Sequence, residues 1–370
     1  FLLFFGFSYA AARSSSLFLF FLSSILTFLI GREFSKEKGW LIGLISVLLF
    51  LTSPILLHLA TVNMQEMLGI FILLVLGYYM IKSISTESIG KYLIIGFLIS
   101  VAYWSKSNFA LQLIFGVGLF QLSLLWNRDQ KTPNVEPVKQ NKYVKKPAKV
   151  VVKKDFLSLV FSNDNKLIAW TVNNLLIIAG FIPLFIFWWA TPPFERKYGL
   201  GVLFRAQGMS DPSFSPIAGF IKALAFYTQS LLSSYTFSLW LGLGLLLSLL
   251  VSFWFFKKKK VRLISLLFWA NLLFIGYISS NNNQERYLST ASPLIFLLLA
   301  YFIVLLFERW KSFKLASIYY VIFALLLILI SHDSLGLTRY TKEVANRSIM
   351  FVIYKESLNK FSPPFLFGLV

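Results

Sequence analysis

Long apolar runs separated by short polar segments are the main pattern of this chain. Most runs approach the roughly 20 residues that a helix needs to cross a bilayer. In lipid, only a helix or a closed barrel satisfies its backbone hydrogen bonds, and these runs lack the alternation of barrel strands. The pattern therefore predicts an all-α, polytopic membrane protein with about ten transmembrane helices. The predicted spans are 14–31, 40–60, 61–81, 91–105, 109–126, 167–190, 235–256, 263–279, 288–307 and 315–330.

Two polar segments interrupt the apolar runs. Residues 127–165 are rich in Lys and lack an apolar helix face, which predicts a flexible basic loop. Residues 191–216 contain several Gly and Pro residues, which favour turns. Residues 217–234 are half apolar and predict an amphipathic helix at the membrane interface. These segments predict two transmembrane modules, at 1–126 and 166–331, and a tail at 332–370.

Composition and charge agree with a membrane protein. The chain of 370 residues is 57% hydrophobic and 14% charged, which is more apolar than a soluble domain of this length. It has no cysteine, so disulfides and thiolate metal sites are excluded. Its net charge of +20 is explained by positively charged cytoplasmic loops rather than by nucleic-acid binding.

The distribution of Lys and Arg predicts the orientation in the membrane. Roughly two thirds of these residues fall in alternate loops between the predicted spans. We place these loops in the cytoplasm: 31–39, 82–91, 127–166, 257–262 and 308–314. The opposite, extracytoplasmic face then includes the loop at 191–216 and the tail. It collects the charged residues Arg13, Glu66, Lys106, Glu195, Arg196, Lys197, Arg205, Asp211, Glu285 and Arg286.

Glu66 is the carboxylate at the start of an otherwise apolar span. An ionisable group at such a position is costly to bury and therefore indicates a function. Beside the basic residues of this face it could be a general base or a metal ligand. The alternative is structural, because Asn63 and Glu66 have the spacing of a capping box and the helix dipole favours a carboxylate in the first turn. Both interpretations stay open from the residues alone.

Basic residues of the same face are candidates for binding a phosphate group, for which Arg and Lys are the usual partners. These candidates are Lys106, Arg205 and Arg286. The structural alternative for Lys106 and Arg286 is that they anchor span ends at the lipid boundary. The chain has no Gly-rich phosphate loop, metal-ligand spacing or Ser-His-Asp arrangement. No cofactor is therefore predicted from a motif, and a divalent cation is left open.

Several stretches together resemble one known family. Gly31-Arg32-Glu33-Phe34 closes one span, Ser53-Pro54 lies near the end of the next, and Glu66 opens the third. The other matching stretches are Ala12-Arg13, Gly96–Lys106, and Arg286-Tyr287 with Pro293. In this order they resemble the GT-C membrane glycosyltransferases related to the dolichyl-phosphate-mannose protein mannosyltransferases and the lipid A aminoarabinose transferase. The resemblance covers residues 1–126 well and 262–307 less closely.

The resemblance implies a GT-C-type fold and an inverting glycosyltransferase. Such an enzyme takes a sugar from a polyprenyl-phosphate donor on the extracytoplasmic face of the cell membrane. It implies a catalytic role for Glu66 within the module at 1–126, and binding of the donor phosphate by Lys106 and Arg286, with Arg205 as a further candidate. Arg13 and Tyr287 would position donor or acceptor. The leading acidic residue of the family would precede Phe1, so we expect a further N-terminal segment.

The expected partners are the lipid-linked sugar and membrane lipid, with a protein, lipid or glycan as acceptor. Two other functions compete with this interpretation: a multi-span transporter or flippase of lipid-linked sugars, and a non-catalytic scaffold on the same fold. A transporter is expected to have paired broken helices or charges in mid-span. The predicted spans are apolar and their charges lie at one boundary, which favours the enzyme.

Overall fold

The computed structural model describes residues 9–61, 65–85, 88–105, 107–126, 166–189, 216–233, 235, 239–278 and 285–311. In these ranges the chain forms twelve α-helices, one 3₁₀ turn and no β-strand, which confirms the all-α prediction. The helices are α1 (Tyr9–Phe34), α2 (Gly39–Thr52), α3 (Pro54–Thr61), α4 (Gln65–Lys82), α5 (Ile89–Ser105), α6 (Ser107–Trp126), α7 (Lys166–Trp189), α8 (Pro216–Ser233), α9 (Leu239–Ser252), α10 (Lys259–Ile278), α11 (Glu285–Ser289) and α12 (Ser292–Lys311). The 3₁₀ turn is Phe253–Phe255.

The apolar helices form a polytopic membrane protein. Among the described residues, two helices are long and apolar enough by themselves to cross a membrane, and the bent pair α2 and α3 makes a third if counted as one span. Four further helices are apolar but shorter. Nine of the ten predicted spans coincide with these or other helices. The tenth span at 315–330, the basic loop, nearly all of the loop at 191–216 and the tail lie outside the described residues.

The predicted span at 40–60 is broken into two helices, which corrects the sequence prediction. The bend between α2 and α3 is 63°. Ser53 at the break is extended, with φ −71° and ψ 120°, and Pro54 begins α3. Proline has no backbone N–H and its ring clashes with the preceding helical turn, so α2 cannot continue through Pro54. As a result α3 turns away from α2 and packs against α1 and α11.

Charged residues of four loops meet at one end of the helix bundle, which we call the basic end (residues 31–39, 82–85, 257–262 and 308–311). Lys82 Nζ lies 2.7 Å from Glu33 Oε1, and Lys38 Nζ lies 3.5 Å from Glu308 Oε1. Lys260 Nζ donates to the backbone carbonyl of Glu33. The hydrogen bond to Glu33 raises the pKa of Lys82, which follows the predicted span. Four of the five loops predicted to share one side of the membrane therefore lie together.

Glu66 lies at the other end of the bundle. Sixteen residues of α4 separate it from Lys82, which is about 24 Å at the rise of an α-helix. Helix α1 packs against α4, and Glu33 near its C-terminus pairs with Lys82. Arg13, which lies in the N-terminal part of α1, is therefore about 30 Å from the basic end. We call this opposite region the Glu66 end.

Helix α8 is a packed helix of the bundle. It contacts α9 and α10 and buries Ala223, Tyr227 and Leu231 along one face, while Ile221 is exposed. Spacings of four residues place the three buried side chains on the same side of the helix. The amphipathic pattern of residues 217–234 thus reflects the packing of α8 against neighbouring helices. The location of α8 at the membrane interface stays a prediction.

Candidate active site

Glu66 is buried in the first turn of α4, with 2% of its surface exposed. One turn later, Gly69 packs against the ring of Phe109 near the start of α6. A Cβ atom added to Gly69 would lie 2.5 Å from Phe109 Cε2, so the absence of a side chain allows this close approach of the ring. Glu66 therefore lies in the protein interior rather than on a lipid-facing surface.

Helix α11 carries the Arg286-Tyr287 pair to the same region. It packs against α3 and α4, and α4 is the helix that bears Glu66. Tyr287 is half-buried and contacts the hydrophobic core. The bend at Pro54 contributes to this arrangement, because it directs α3 toward α11. Segments more than 200 residues apart in sequence therefore meet at the Glu66 end.

A buried polar contact joins this end of the bundle to α6. Thr290 Oγ1 lies 3.4 Å from Gln112 Oε1, and it also lies 3.3 Å from the carbonyl oxygen of Tyr287. Thr290 and Gln112 are 2% and 5% exposed. The sequence analysis did not select either residue. Gln112 could have been selected from the sequence by its position inside an apolar run, because polar residues within a membrane helix usually contact another helix.

The structure brings four of the predicted site residues to one end of the bundle. These are Arg13, Glu66, Arg286 and Tyr287, through α1, α4 and α11. Lys106 and Arg205 lie outside the described residues. Asn63 does too, so the predicted capping box is not tested. The first-turn position of Glu66 agrees with either a structural or a catalytic role.

The described residues offer a proton acceptor rather than a recognisable metal centre. No three His, Cys, Asp or Glu side chains within the described ranges form a group that could hold a metal ion. A buried carboxylate can in general orient or deprotonate a hydroxyl group of a substrate.

Fold and site together describe an all-α, polytopic membrane protein with a buried carboxylate at one end. Residues 1–138 match the model of the dolichyl-phosphate-mannose-protein mannosyltransferase family. The predicted resemblance is thus confirmed for this part of the chain, which includes Glu66 and the motifs from Arg13 to Lys106. No curated protein sequence is significantly similar to this chain.

A solved structure is also similar to this chain. It is the crystal structure of ArnT from Cupriavidus metallidurans in the apo state, with a TM-score of 0.48 and 13% sequence identity. The match covers 81% of this chain and 46% of the ArnT chain. The present chain therefore spans about half the length of that protein.

Proposed function

We propose that this protein is an inverting glycosyltransferase that moves a sugar from a polyprenyl-phosphate donor to an acceptor hydroxyl on the extracytoplasmic side of the membrane. The observation that carries the proposal is the meeting of Glu66 with the helix of Arg286 and Tyr287 at one end of the bundle. The opposite end holds the Lys-rich loops that the positive-inside rule assigns to the cytoplasm. The family match over residues 1–138 supports the same reaction class.

The reaction requires a proton acceptor and stabilisation of a phosphate leaving group. The acceptor oxygen attacks the anomeric carbon as the bond from that carbon to the phosphate oxygen breaks. The acceptor proton passes to a carboxylate, and polyprenyl phosphate leaves with the bonding electron pair. Among the described residues, Glu66 is the carboxylate that we assign to this step, and Arg286 is the residue that we assign to the phosphate. Fixed cations lower the barrier because negative charge on the phosphate grows as the glycosidic bond breaks.

A transporter or flippase of lipid-linked sugars is the competing function. Transporters of that kind commonly use two broken helices in corresponding halves of the chain. Among the described residues one bent pair is present, α2 with α3. Its bend is explained by Pro54 and positions α3 beside α11. These features favour the enzyme over the transporter.

Purified protein tested against a panel of polyprenyl-phosphate sugars separates the two functions. We expect one donor to be cleaved, with equal amounts of transferred sugar and released polyprenyl phosphate. Movement of an intact lipid-linked sugar across a vesicle membrane without cleavage would instead establish the flippase. Both products are measurable by mass spectrometry in the same sample.

Replacing Arg286 with Ala is expected to raise the KM for the lipid-phosphate donor by roughly 10-fold or more, because a hydrogen bond to a charged group is lost. The KM for the acceptor should stay near its wild-type value. Arg32→Ala is the matched control, since Arg32 is exposed at the basic end. An unchanged donor KM in Arg286→Ala would refute the phosphate role of this residue.

A further inference from the structure

Gln112 is a buried amide inside the apolar helix α6, where a polar side chain is costly unless it makes a contact. The positions on either side of it are packed against other helices. Phe109, three residues earlier, packs against Gly69 of α4. Gly116, four residues later, packs against Leu267 of α10. These spacings place the three residues on one face of α6, so the backbone of Gln112 is held firmly within the bundle.

The corner between α11 and α12 is buried and closely hydrogen-bonded. The backbone N–H of Ala291 donates to the carbonyl oxygen of Leu288 at 3.0 Å. The hydroxyl of Ser292 donates to the carbonyl oxygen of Ser289 at 2.7 Å. These bonds occupy carbonyl groups that the end of a helix otherwise leaves without an intrahelical partner. Helix α11 is therefore tied to this corner, and a shift of the corner would move α11 with it.

Thr290 connects this corner to α6. Its hydroxyl oxygen lies 3.4 Å from Gln112 Oε1 and 3.3 Å from the carbonyl oxygen of Tyr287, so one proton is shared between two acceptors. Shared hydrogen bonds are common at helix termini. The hydroxyl thus links a firmly held side chain of α6 to the backbone of the Arg286-Tyr287 segment.

Helix α11 is too short to hold its own position. It has five residues, and isolated helices of this length are unstable in water. Its place in the bundle depends on the helices around it and on the corner that follows it. Arg286 and Tyr287 both lie on α11, so any displacement of this helix relative to α6 would move both residues.

We propose that Gln112 is a positioning residue for sugar transfer, which acts through the Thr290 hydroxyl to fix α11 and the Arg286-Tyr287 pair. This inference rests on the proposed function, in which Arg286 binds the donor phosphate. Gln112 needs no contact with the substrate for this role. A displacement of about 1 Å can cost on the order of 100-fold in rate, so a single polar contact between helices is sufficient to affect transfer.

Kinetics of substitutions at both ends of the contact test the proposal. Gln112→Met and Thr290→Val nearly keep the side-chain volumes and remove the contact. We expect each to raise the KM for the lipid-phosphate donor by roughly 3- to 10-fold, as for the loss of a hydrogen bond between membrane helices. Thr290→Ser keeps the hydroxyl and should restore a donor KM near that of the wild type. The double variant should resemble either single variant, and independent, additive effects would overturn the proposal.

Gln121→Met is the matched control on the same helix. Gln121 is also buried, with 3% of its surface exposed, and lies about 14 Å along α6 toward the basic end. It loses the same amide group and should keep the wild-type KM for the donor, even if its thermal unfolding midpoint falls. An equal rise of the donor KM in Gln121→Met and Gln112→Met would reduce the role of Gln112 to general stability and overturn the proposal.

Thiol labelling reports the position of α11 without any sugar transfer. The chain has no cysteine, so Tyr287→Cys provides a single thiol. Because residue 287 is half-buried, its reaction rate with a water-soluble maleimide depends on the position of α11. We expect Gln112→Met to change this rate several-fold and Gln121→Met to leave it unchanged. An unchanged rate in Gln112→Met would refute the positioning role. A changed rate with an unchanged donor KM would instead refute the donor site at Arg286 and leave the link between α6 and α11 intact.

Discussion

Glu66→Gln is expected to reduce sugar transfer at least about 100-fold, which is the usual contribution of a positioned acid or base. The substitution keeps the size of the side chain and one acceptor oxygen, but it replaces the other oxygen with an NH₂ donor and removes the ability to accept a proton. Because glutamine has nearly the same size and shape as glutamate, a change of this kind leaves the packing of α4 against α11 in place. Turnover of the donor identified in the panel is the measurement.

Glu33→Gln is the matched control for this experiment. Glu33 undergoes the same chemical change at the basic end, where it pairs with Lys82. It should retain activity near that of the wild type. The thermal unfolding midpoint of both variants must be compared with the wild type, because a helix-capping role of Glu66 would lower stability rather than turnover. Normal turnover with reduced stability in Glu66→Gln would assign Glu66 to the helix terminus alone.

Gly96→Ala is expected to destabilise the protein by about 2–3 kcal/mol, the cost of overpacking a close contact. Gly96 of α5 packs against the backbone of Ile177, and Gly180 of α7 packs against the backbone of Leu93. An added Cβ at either glycine would overlap a backbone carbonyl of the other helix. Backbone cannot move aside as a flexible side chain does, so the two helices must separate. Small residues permit such close approach of membrane helices.

Separation of α5 and α7 would also disrupt the contacts around the glycines. Asn173 Nδ2 donates to the hydroxyl of Tyr92 at 2.9 Å, and Trp104 Nε1 donates to the carbonyl of Leu184 at 3.4 Å. Tyr103 packs edge-on against Phe181 and Phe185. Helix α7 is exposed over most of its surface and depends mainly on α5 for its position. The loss of stability in Gly96→Ala is measured by thermal unfolding in detergent, with circular dichroism as the probe of helix content.

Gly90→Ala is the control on the same helix. A Cβ at Gly90 would meet no atom within 4 Å, so alanine should be neutral or slightly stabilising through its higher helix propensity. Gly180→Ala should destabilise as Gly96→Ala does. The double substitution should cost less than the two single effects combined, because one change already separates the helices. Equal stability of Gly96→Ala and Gly90→Ala would contradict the close contact.

The amino-acid sequence was sufficient to predict the helices and the grouping of their loops. In lipid each spanning segment must satisfy its own backbone hydrogen bonds, so a local apolar run is enough to predict a helix. The predicted span at 91–105 coincides with α5, and that at 109–126 with α6. The charge pattern also grouped the loops of Glu33, Lys82 and Lys260, which lie together at the basic end. Their placement in the cytoplasm stays a prediction.

The local sequence pattern was less informative where a helix is interrupted or where polar side chains from distant segments meet. Pro54 marked a helix break, yet the apolar run around it predicted one continuous span. Gln112 and Thr290 are far apart in sequence, and their contact depends on how the residues that follow α11 lie beside α6. The candidate site was predicted as a set of charges on one face. The roles of Glu66 and Arg286 within it stay predictions until the substitutions are measured.

Arg262 illustrates the difference between what the sequence determined and what only the tertiary structure decided. The sequence placed it in a loop with four lysines, as part of a topology signal. The structure places it inside α10 and buries its guanidinium. Hydropathy and charge determine which segments enter the membrane, because both are properties of short stretches. Burial of a single side chain depends on which helices surround it, and only the tertiary structure brings those helices together.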